Sequence, residues 1–317
     1  MRSFSINQGK DTIQFIKVDS DIKVKKPVLL FCQGSLPIPL IIKDKEGMII
    51  PALNNFDYKK IAEKYHIIVI SMPCIPIMPE EEHLNNQYCY IEDSNNSHSF
   101  PLKYSEANFL DNYVKRANRV IKFLRKQTWV DKSRMLIVGH SQGTYIATKV
   151  AAENPAISAL GFLSGNPLGR VSEYIWQYRK LEHKGAISPK EAQERIDGIY
   201  EWWKNINLRP SNKPLEPDKD SSNATISFST PVIEDLLNLS IPIYIAYGTE
   251  DNTSFYCDFL PIEFIRKGKI NYKIRPYVGL EHNFMEVDSA GKPIVEKMHW
   301  TEVFNDFIKW TETEIEK

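Results

Sequence analysis

A serine in a glycine-flanked turn is the first residue of this sequence whose surroundings indicate chemistry. Ser141 is the central residue of GHSQG (139–143), which follows the apolar run RMLIVG (134–139) and precedes the helical pattern QGTYIATKVAAE (142–153). The pattern G-x-S-x-G between a strand and a helix is typical of a nucleophile elbow, in which a sharp turn exposes the serine hydroxyl. A glycine-rich turn with an idle serine is the alternative, and the strand–turn–helix context favours a nucleophile.

A serine nucleophile needs a base, and histidine is the side chain whose ordinary pKa lies near neutral pH. The sequence contains seven histidines. His282, in GLEHNF (279–284), follows the last predicted strand, so we expect it in a loop at the carboxyl edge of the sheet. His140 adjoins the serine, but its backbone position predicts a ring that points away from it. Position therefore favours His282 as the base.

A carboxylate is needed to fix the tautomer of the histidine and to stabilise its protonated form. Asp251, in GTEDN (248–252), leaves the predicted strand IPIYIAYG (241–248) at the same edge as His282. Its neighbour Glu250 is a rival, and a simple turn carboxylate is the third possibility. With Asp251, the order along the chain is Ser, Asp, His, which differs from the other two common orders of such triads.

These residues need a sheet to bring them together, and the sequence predicts one. Residues 3–6 and 11–18 flank the turn Asn7-Gln8-Gly9-Lys10 and predict an antiparallel hairpin. Six short apolar runs then alternate with helical patterns, which indicates a mostly parallel, doubly wound sheet of about eight strands. The strands are predicted at 27–33, 66–71, 134–139, 158–164, 241–248 and 271–277, and the helices at 56–65, 105–127, 142–153 and 296–316.

One segment interrupts this alternation. Residues 165–235 contain no convincing strand, but they contain helical patterns near 170–184 and 188–205 and a polar loop at 208–223. We interpret 165–235 as a helical insertion that caps one end of a core formed by 1–164 and 236–317. A second irregular stretch, 73–100, is longer than a plain connection and is expected to line the site.

The insertion also offers candidate pocket residues. Its aromatic side chains could form an apolar pocket for substrate, although packing of the insertion onto the core is favoured for them. These are Tyr174, Trp176, Tyr178, Tyr200, Trp202 and Trp203, of which the three tryptophans are the candidate pocket residues. Arg170 and Arg209 could bind an acidic group, but solvated surface positions are favoured for both.

Composition excludes several classes of function. Lys+Arg and Asp+Glu are each 40, so the formal net charge is +0, which argues against a general nucleic-acid binder. The sequence has no apolar run long enough for a membrane span and no secretory signal, and a cytoplasmic location is expected unless a signal segment has been removed. Cys32, Cys74, Cys89 and Cys257 lack metal-site spacing and are expected to be unpaired, with a Cys74–Cys89 bridge as the alternative.

With these motifs the chain resembles the α/β-hydrolase superfamily over most of its length. In that family the acid often lies in G-x-x-D, which GTED reproduces, and the histidine in a loop like GLEHNF. Some members carry the acid one strand earlier, where this sequence has Ser164-Gly165-Asn166 and no carboxylate; the resemblance therefore favours Asp251. The family's oxyanion loop often reads H-G-x, and this sequence has Gln33-Gly34-Ser35. The resemblance implies that the backbone N–H groups of Ser35 and Gln142 bind the oxyanion.

The resulting expectation is hydrolysis of a small-molecule carboxylic ester or thioester through an acyl-enzyme on Ser141. A peptidase or amidase with the same triad and a non-catalytic binding protein on the same fold are the alternatives. The sequence implies no metal and no organic cofactor. It does not define the oligomeric state.

Overall fold

The fold is built around one eight-stranded sheet. The computed structural model describes residues 1–8, 11–19, 21–44 and 47–315. Along the sheet the strand order is β1-β2-β6-β3-β7-β8-β9-β10. These strands are β1 (Arg2–Gln8), β2 (Asp11–Lys17), β3 (Lys26–Cys32), β6 (His66–Ile70), β7 (Val130–His140), β8 (Ala159–Leu163), β9 (Ile243–Gly248) and β10 (Tyr272–Tyr277). Two separate hairpins are formed by β4 (Ile42–Asp44) with β5 (Gly47–Ile49) and by β11 (Met285–Val287) with β12 (Pro293–Met298).

The direction of the strands agrees with the sequence prediction. The strands β1 and β2 form the antiparallel hairpin, and β2 also pairs antiparallel with β6. All remaining neighbours in the large sheet are parallel. Gly9 and Lys10 of the predicted turn lie outside the described residues. The prediction of a mostly parallel sheet with an N-terminal antiparallel hairpin is confirmed.

Helices cover both faces of the sheet. They are α1 (Tyr58–Lys64), α2 (Leu102–Ala107), α3 (Leu110–Leu124), α4 (Gly143–Glu153), α5 (Arg170–His183), α6 (Pro189–Leu208), α7 (Ser222–Phe228), α8 (Ile233–Asn238), α9 (Leu260–Arg266) and α10 (Trp300–Ile315). Short 3-10 helices occur at Pro51–Leu53, Glu81–His83 and Phe255–Phe259.

Strand β3 shows why the core has two halves. Val28 and Leu30 join the buried cluster under α3, α4, α8 and α9, whereas Leu29 and Phe31 join the cluster under α1 and α10. Successive side chains of a strand point to opposite faces, so a continuous apolar run is buried on both sides of the sheet.

Segment 165–235 contains α5, α6, α7 and the start of α8, so the predicted boundary at 235/236 falls inside α8. The side chain of Ser188 accepts a hydrogen bond from the backbone N–H of Glu191 at 3.1 Å, with Pro189 at the first helical position, as the sequence predicts for this helix start. Residues 208–223 were expected to be a loop, but α7 already begins at Ser222, where the side chain of Ser221 caps it.

Two of the predicted helices differ from the structure. The helix predicted at 105–127 is divided into α2 and α3, because buried Asn108 leaves the helical conformation and hydrogen bonds to Asp220 and Tyr113. The helix predicted at 296–316 begins only at Trp300, because residues 293–298 pair with β11 as β12. Its predicted last residue, Glu316, lies outside the described part of the chain.

Two further findings bear on the expectations from composition. In the part of the chain that is described, no helix combines the length and the apolar character that a bilayer crossing requires. The described cysteines form no disulfide, so Cys74 and Cys89 are not joined. Cys32, Cys89 and Cys257 are buried.

Candidate active site

The turn after β7 holds Ser141 at the carboxyl edge of the sheet. Its backbone φ of 54° lies in the left-handed region, which a non-glycine residue rarely adopts, and marks strain in a sharp strand-to-helix turn. The two glycines are needed because a Cβ at Gly139 would lie 2.1 Å from the carbonyl oxygen of Gly143. A Cβ at Gly143 would lie 2.0 Å from that of Cys32. The turn therefore has the close backbone contacts that the G-x-S-x-G pattern predicts.

Asp251 and His282 meet at the same edge. The Nδ1 atom of His282 lies 2.9 Å from Oδ2 of Asp251, and the Asp251 side chain is only 1% exposed. Asp251 also accepts hydrogen bonds from the backbone N–H and the hydroxyl of Thr253, both at 2.8 Å, and from the hydroxyl of Ser254. The rival Glu250 is exposed.

The negative charge of Asp251 and the positive charge of protonated His282 stabilise each other. Burial alone would raise the pKa of Asp251, but the hydrogen bond and charge of His282 and the hydrogen bonds from Ser254 and Thr253 outweigh it and lower that pKa. Burial alone would lower the pKa of His282, and the Asp251 carboxylate outweighs it, so the pKa of His282 is raised. The Asp251 carboxylate thus stabilises the protonated form of His282, which is the form that a base takes after it has accepted a proton.

His140 packs beside His282 instead of reaching Ser141. Its Nε2–H donates to the backbone carbonyl of His282 at 3.0 Å, and the two rings lie 4.9 Å apart between centroids. Burial and the neighbouring His282 lower the pKa of His140 to about 3, so its ring is neutral at ordinary pH. A neutral ring supports the loop of His282 without adding a competing charge.

Ser141 and His282 line one cavity of about 340 Å³, which we call the apolar cavity because its other walls include Phe31, Phe56 and Trp300. Among the described residues, no hydrogen bond joins the Ser141 hydroxyl to His282, and the Nε2 atom of His282 has no protein partner. Catalytic hydrogen bonds in ligand-free sites are often long and tighten only when substrate is bound.

The two backbone N–H groups of the expected oxyanion site adjoin Ser141. Within the described chain, neither Ser35 nor Gln142 donates its backbone N–H to a protein acceptor. Both residues line a second cavity together with Ser141. A Cβ at Gly34 would lie 3.7 Å from the Cβ of Ser141, so the loop backbone runs beside the nucleophile. The side-chain amide of Gln33 braces this loop by donating to the carbonyl of Ile70 at 3.3 Å.

The second cavity has a volume of about 520 Å³, and we call it the polar cavity. Arg170, at the start of α5, lies in its wall with a side chain only 16% exposed, so the solvated position favoured for it was wrong. Its guanidinium pairs with Asp220 and donates to the side-chain oxygen of Gln142. It therefore links segment 165–235 to the elbow. Arg209 is exposed, as expected.

Solved structures match the chain over its whole length. An acylaminoacyl peptidase from Pyrococcus horikoshii is 16% identical, with a TM-score of 0.54 over 100% of this chain and 42% of that chain. Est1E from Butyrivibrio proteoclasticus is 13% identical, with a TM-score of 0.53 over 99% of both chains. A thioesterase domain from the curacin biosynthetic pathway is 13% identical, with a TM-score of 0.50 over 100% of this chain and 99% of that one.

The chain has the α/β-hydrolase fold. It spans about two fifths of the length of the peptidase, of which it covers 42%. No protein-family model and no curated protein matches the sequence.

The three tryptophans that were candidate pocket residues lie elsewhere. None of Trp176, Trp202 and Trp203 lines either cavity. Trp176 stacks on Phe255, with centroids 3.9 Å apart, and so joins α5 to the 3-10 helix Phe255–Phe259. Trp202 is 39% exposed on α6. Of the irregular stretch 73–100, Phe100 lines the polar cavity.

Most residues in the wall of the polar cavity were not predicted from the sequence. Tyr104, Tyr145, Glu173 and Asp220 all line it, and they come from four separate parts of the chain. Tyr145 lies four residues after Ser141 in the predicted helix 142–153, and this position could have indicated that its side chain lies near the site. Asp220 lies in a polar loop whose path the sequence does not predict.

Proposed function

We propose that the protein is a serine hydrolase that cleaves a carboxylic ester or thioester through an acyl-enzyme on Ser141. The observation that carries this proposal is the 2.9 Å contact of His282 with buried Asp251 at the rim of the cavity that Ser141 lines. Segment 165–235 is proposed to be the cap over this site, since its residue Arg170 contacts the elbow.

The first half of the reaction follows from the tautomer. An ionised carboxylate only accepts hydrogen bonds, so Asp251 holds the proton of His282 on Nδ1 and leaves Nε2 able to accept. Nε2 takes the hydroxyl proton of Ser141 as the serine oxygen attacks the substrate carbonyl carbon. The tetrahedral oxyanion accepts hydrogen bonds from the backbone N–H groups of Ser35 and Gln142, each worth about 3 kcal/mol in the transition state.

The second half repeats these roles with water. Protonated His282 donates its proton to the leaving oxygen or sulfur, which departs and leaves the acyl group on Ser141. His282 then accepts a proton from a water molecule that attacks the acyl carbonyl, and returns it to the serine oxygen as the acid is released. The negative charge of Asp251 stabilises both cationic states of His282.

A fluorophosphonate probe tests the nucleophile. We expect it to label the wild-type protein and not the Ser141→Ala variant, and we expect that variant to hydrolyse esters at least about 10³-fold more slowly. Labelling of both proteins, or of neither when both are folded, would count against the mechanism.

A substrate panel tests the bond that is cleaved. p-Nitrophenyl esters, acyl-CoA thioesters and aminoacyl amides should show turnover of the esters or thioesters and little of the amides. Preferential amide cleavage would assign a peptidase or amidase. Turnover of none of the three classes by labelled, folded protein would count against the ester assignment.

A further inference from the structure

The position of His282 assigns the two cavities to the two halves of a substrate. His282 donates a proton to the leaving group, so the leaving group must lie on its side of Ser141. His282 lines the apolar cavity and not the polar cavity, whereas Ser141 lines both. The apolar cavity therefore faces the leaving group, and the polar cavity faces the acyl group.

Three residues that line the polar cavity each have one buried polar atom without a hydrogen-bond partner among the described residues. These atoms are Nε2 of Gln142, the hydroxyl of Tyr145 and the hydroxyl of Ser164, in residues that are 3%, 4% and 1% exposed. The guanidinium of Arg170 can only donate, so it fixes the oxygen of the Gln142 amide towards itself and leaves the amide nitrogen to another partner. An apolar acyl chain would leave all three atoms unsatisfied, so the cavity suits a polar acyl group.

The charged side chains of the polar cavity have one carboxylate in excess. Arg170 pairs with Asp220, whose other oxygen accepts from Asn108 at 2.9 Å. Lys219 lies 3.8 Å from Asp218. Glu173 has no ion pair within the described chain, and its one hydrogen-bond donor is the amide of Asn166, at 3.3 Å. Its carboxylate is thus left for a positively charged group of a ligand.

We propose that the polar cavity binds a primary ammonium group carried by the acyl part of the substrate, with Glu173 as its ion-pair partner. The hydroxyls of Tyr145 and Ser164 would accept the remaining ammonium hydrogens, and Nε2 of Gln142 would donate to an acceptor atom of the acyl group. This assignment rests on the proposed function, because it takes the acyl group to be the part of the substrate that enters this cavity.

The charge of Glu173 makes such binding pH-dependent. Burial raises the pKa of Glu173 to about 7, against the opposing effects of Arg170, Asn166 and His282. Below that pH the carboxyl of the ligand-free site is mainly neutral, so binding of an ammonium group must displace a proton and becomes weaker. The titratable and charged groups that act on Glu173 or respond to it are Arg170, Tyr174, Tyr145, Asp251, Tyr256 and His282.

Isosteric esters test the proposal. Benzyl glycinate and benzyl propanoate differ by an ammonium in place of a methyl group, and benzyl glycolate carries a neutral hydroxyl there. We expect the ratio of kcat/KM for glycinate over propanoate to fall at least about tenfold from wild type to Glu173→Gln, the scale of one charge-assisted hydrogen bond. Glu173→Asp should retain part of the preference. The matched control Glu201→Gln changes an exposed glutamate of α6 and should leave the ratio unchanged.

Binding to Ser141→Ala separates this proposal from the proposed function. Calorimetry should show that benzyl glycinate binds this variant at least about tenfold more tightly than benzyl propanoate at about pH 7.4, where the ammonium and the Glu173 carboxylate are both mainly charged, and that the difference shrinks at about pH 5.5. If no ester is hydrolysed but this difference is found, the hydrolase assignment fails and the ammonium site stands.

Other results would overturn the ammonium site. Equal ratios in wild type and Glu173→Gln, equal binding of glycinate and propanoate to Ser141→Ala, or glycolate as good as glycinate would each do so. A preference for the anionic half-ester benzyl malonate would do the same. Circular dichroism of each variant distinguishes a lost preference from a lost fold.

Discussion

The hydrogen bonds around Asp251 predict the outcome of replacing it with asparagine. The carboxylate accepts four hydrogen bonds: two from Thr253 on Oδ1, and those from Ser254 and His282 on Oδ2. An asparagine side chain has one oxygen and one NH2 group. The backbone N–H of Thr253 cannot turn away, so the amide oxygen stays on its side and the NH2 group faces His282.

This orientation reverses the tautomer of His282. The NH2 group donates to Nδ1, so the proton of the neutral ring moves to Nε2, which can no longer accept the proton of Ser141. We expect Asp251→Asn to lower kcat for p-nitrophenyl acetate about 10⁴-fold, which corresponds to about 5 kcal/mol in the activation barrier.

The pH profile gives an independent check. In the wild type the carboxylate of Asp251 raises the pKa of His282, and only neutral His282 can act as a base. Activity should therefore fall as the pH falls through a value above 6.5, the ordinary pKa of histidine. Without that carboxylate the pKa of His282 drops, so the residual activity of Asp251→Asn should persist to lower pH.

The neighbouring Glu250 provides the matched control. It is exposed, so Glu250→Gln should keep kcat within about twofold of wild type. A folded Asp251→Asn variant with kcat within tenfold of wild type would refute the reasoning, most clearly if Glu250→Gln were the inactive variant.

Two further predictions concern the elbow. Gly143→Ala places a Cβ 2.0 Å from a backbone oxygen and should lower the free energy of unfolding by about 2 kcal/mol or more. The control Gly198→Ala, in an open helical position, should raise the free energy of unfolding by about 0.5–1 kcal/mol. Equal shifts of the two melting temperatures in thermal denaturation would contradict this prediction. Arg170→Met removes the contact that holds the side chain of Gln142, and should lower kcat/KM for p-nitrophenyl acetate about tenfold or more. An unchanged rate would show that Arg170 does not position the elbow.

The sheet was predictable because the local sequence pattern is sufficient to identify its strands. A buried parallel strand such as β3 is a short apolar run, and each run was followed by helical periodicity or a glycine-rich turn. The errors arose where tertiary contacts decided the local structure. Asn108 interrupts a helical stripe because its side chain binds Asp220, which lies far along the chain, and residues 293–298 form a strand because they pair with β11.

The candidate site likewise has a part that local sequence predicts and a part that tertiary contacts determine. Ser141, Asp251 and His282 follow strand ends, and parallel strands bring their carboxyl ends to one edge, so strand order alone brings these residues close. The wall of the polar cavity also depends on where α5 places its side chains. The tryptophans of segment 165–235 were candidate pocket residues, but Trp176 packs on Phe255, and α5 contributes Arg170, Glu173 and Tyr174 to the wall of the polar cavity.

The amide of Gln33 has a consequence for how this site responds to acid. A histidine at that position would change charge between about pH 5 and 8, and its hydrogen bonds to the loop that carries Ser35 would then depend on pH. An amide does not titrate, so its contact with Ile70 persists at any pH at which the protein is folded. Acid should therefore protonate His282, the proposed base, while the loop that carries the proposed oxyanion donor Ser35 keeps its conformation.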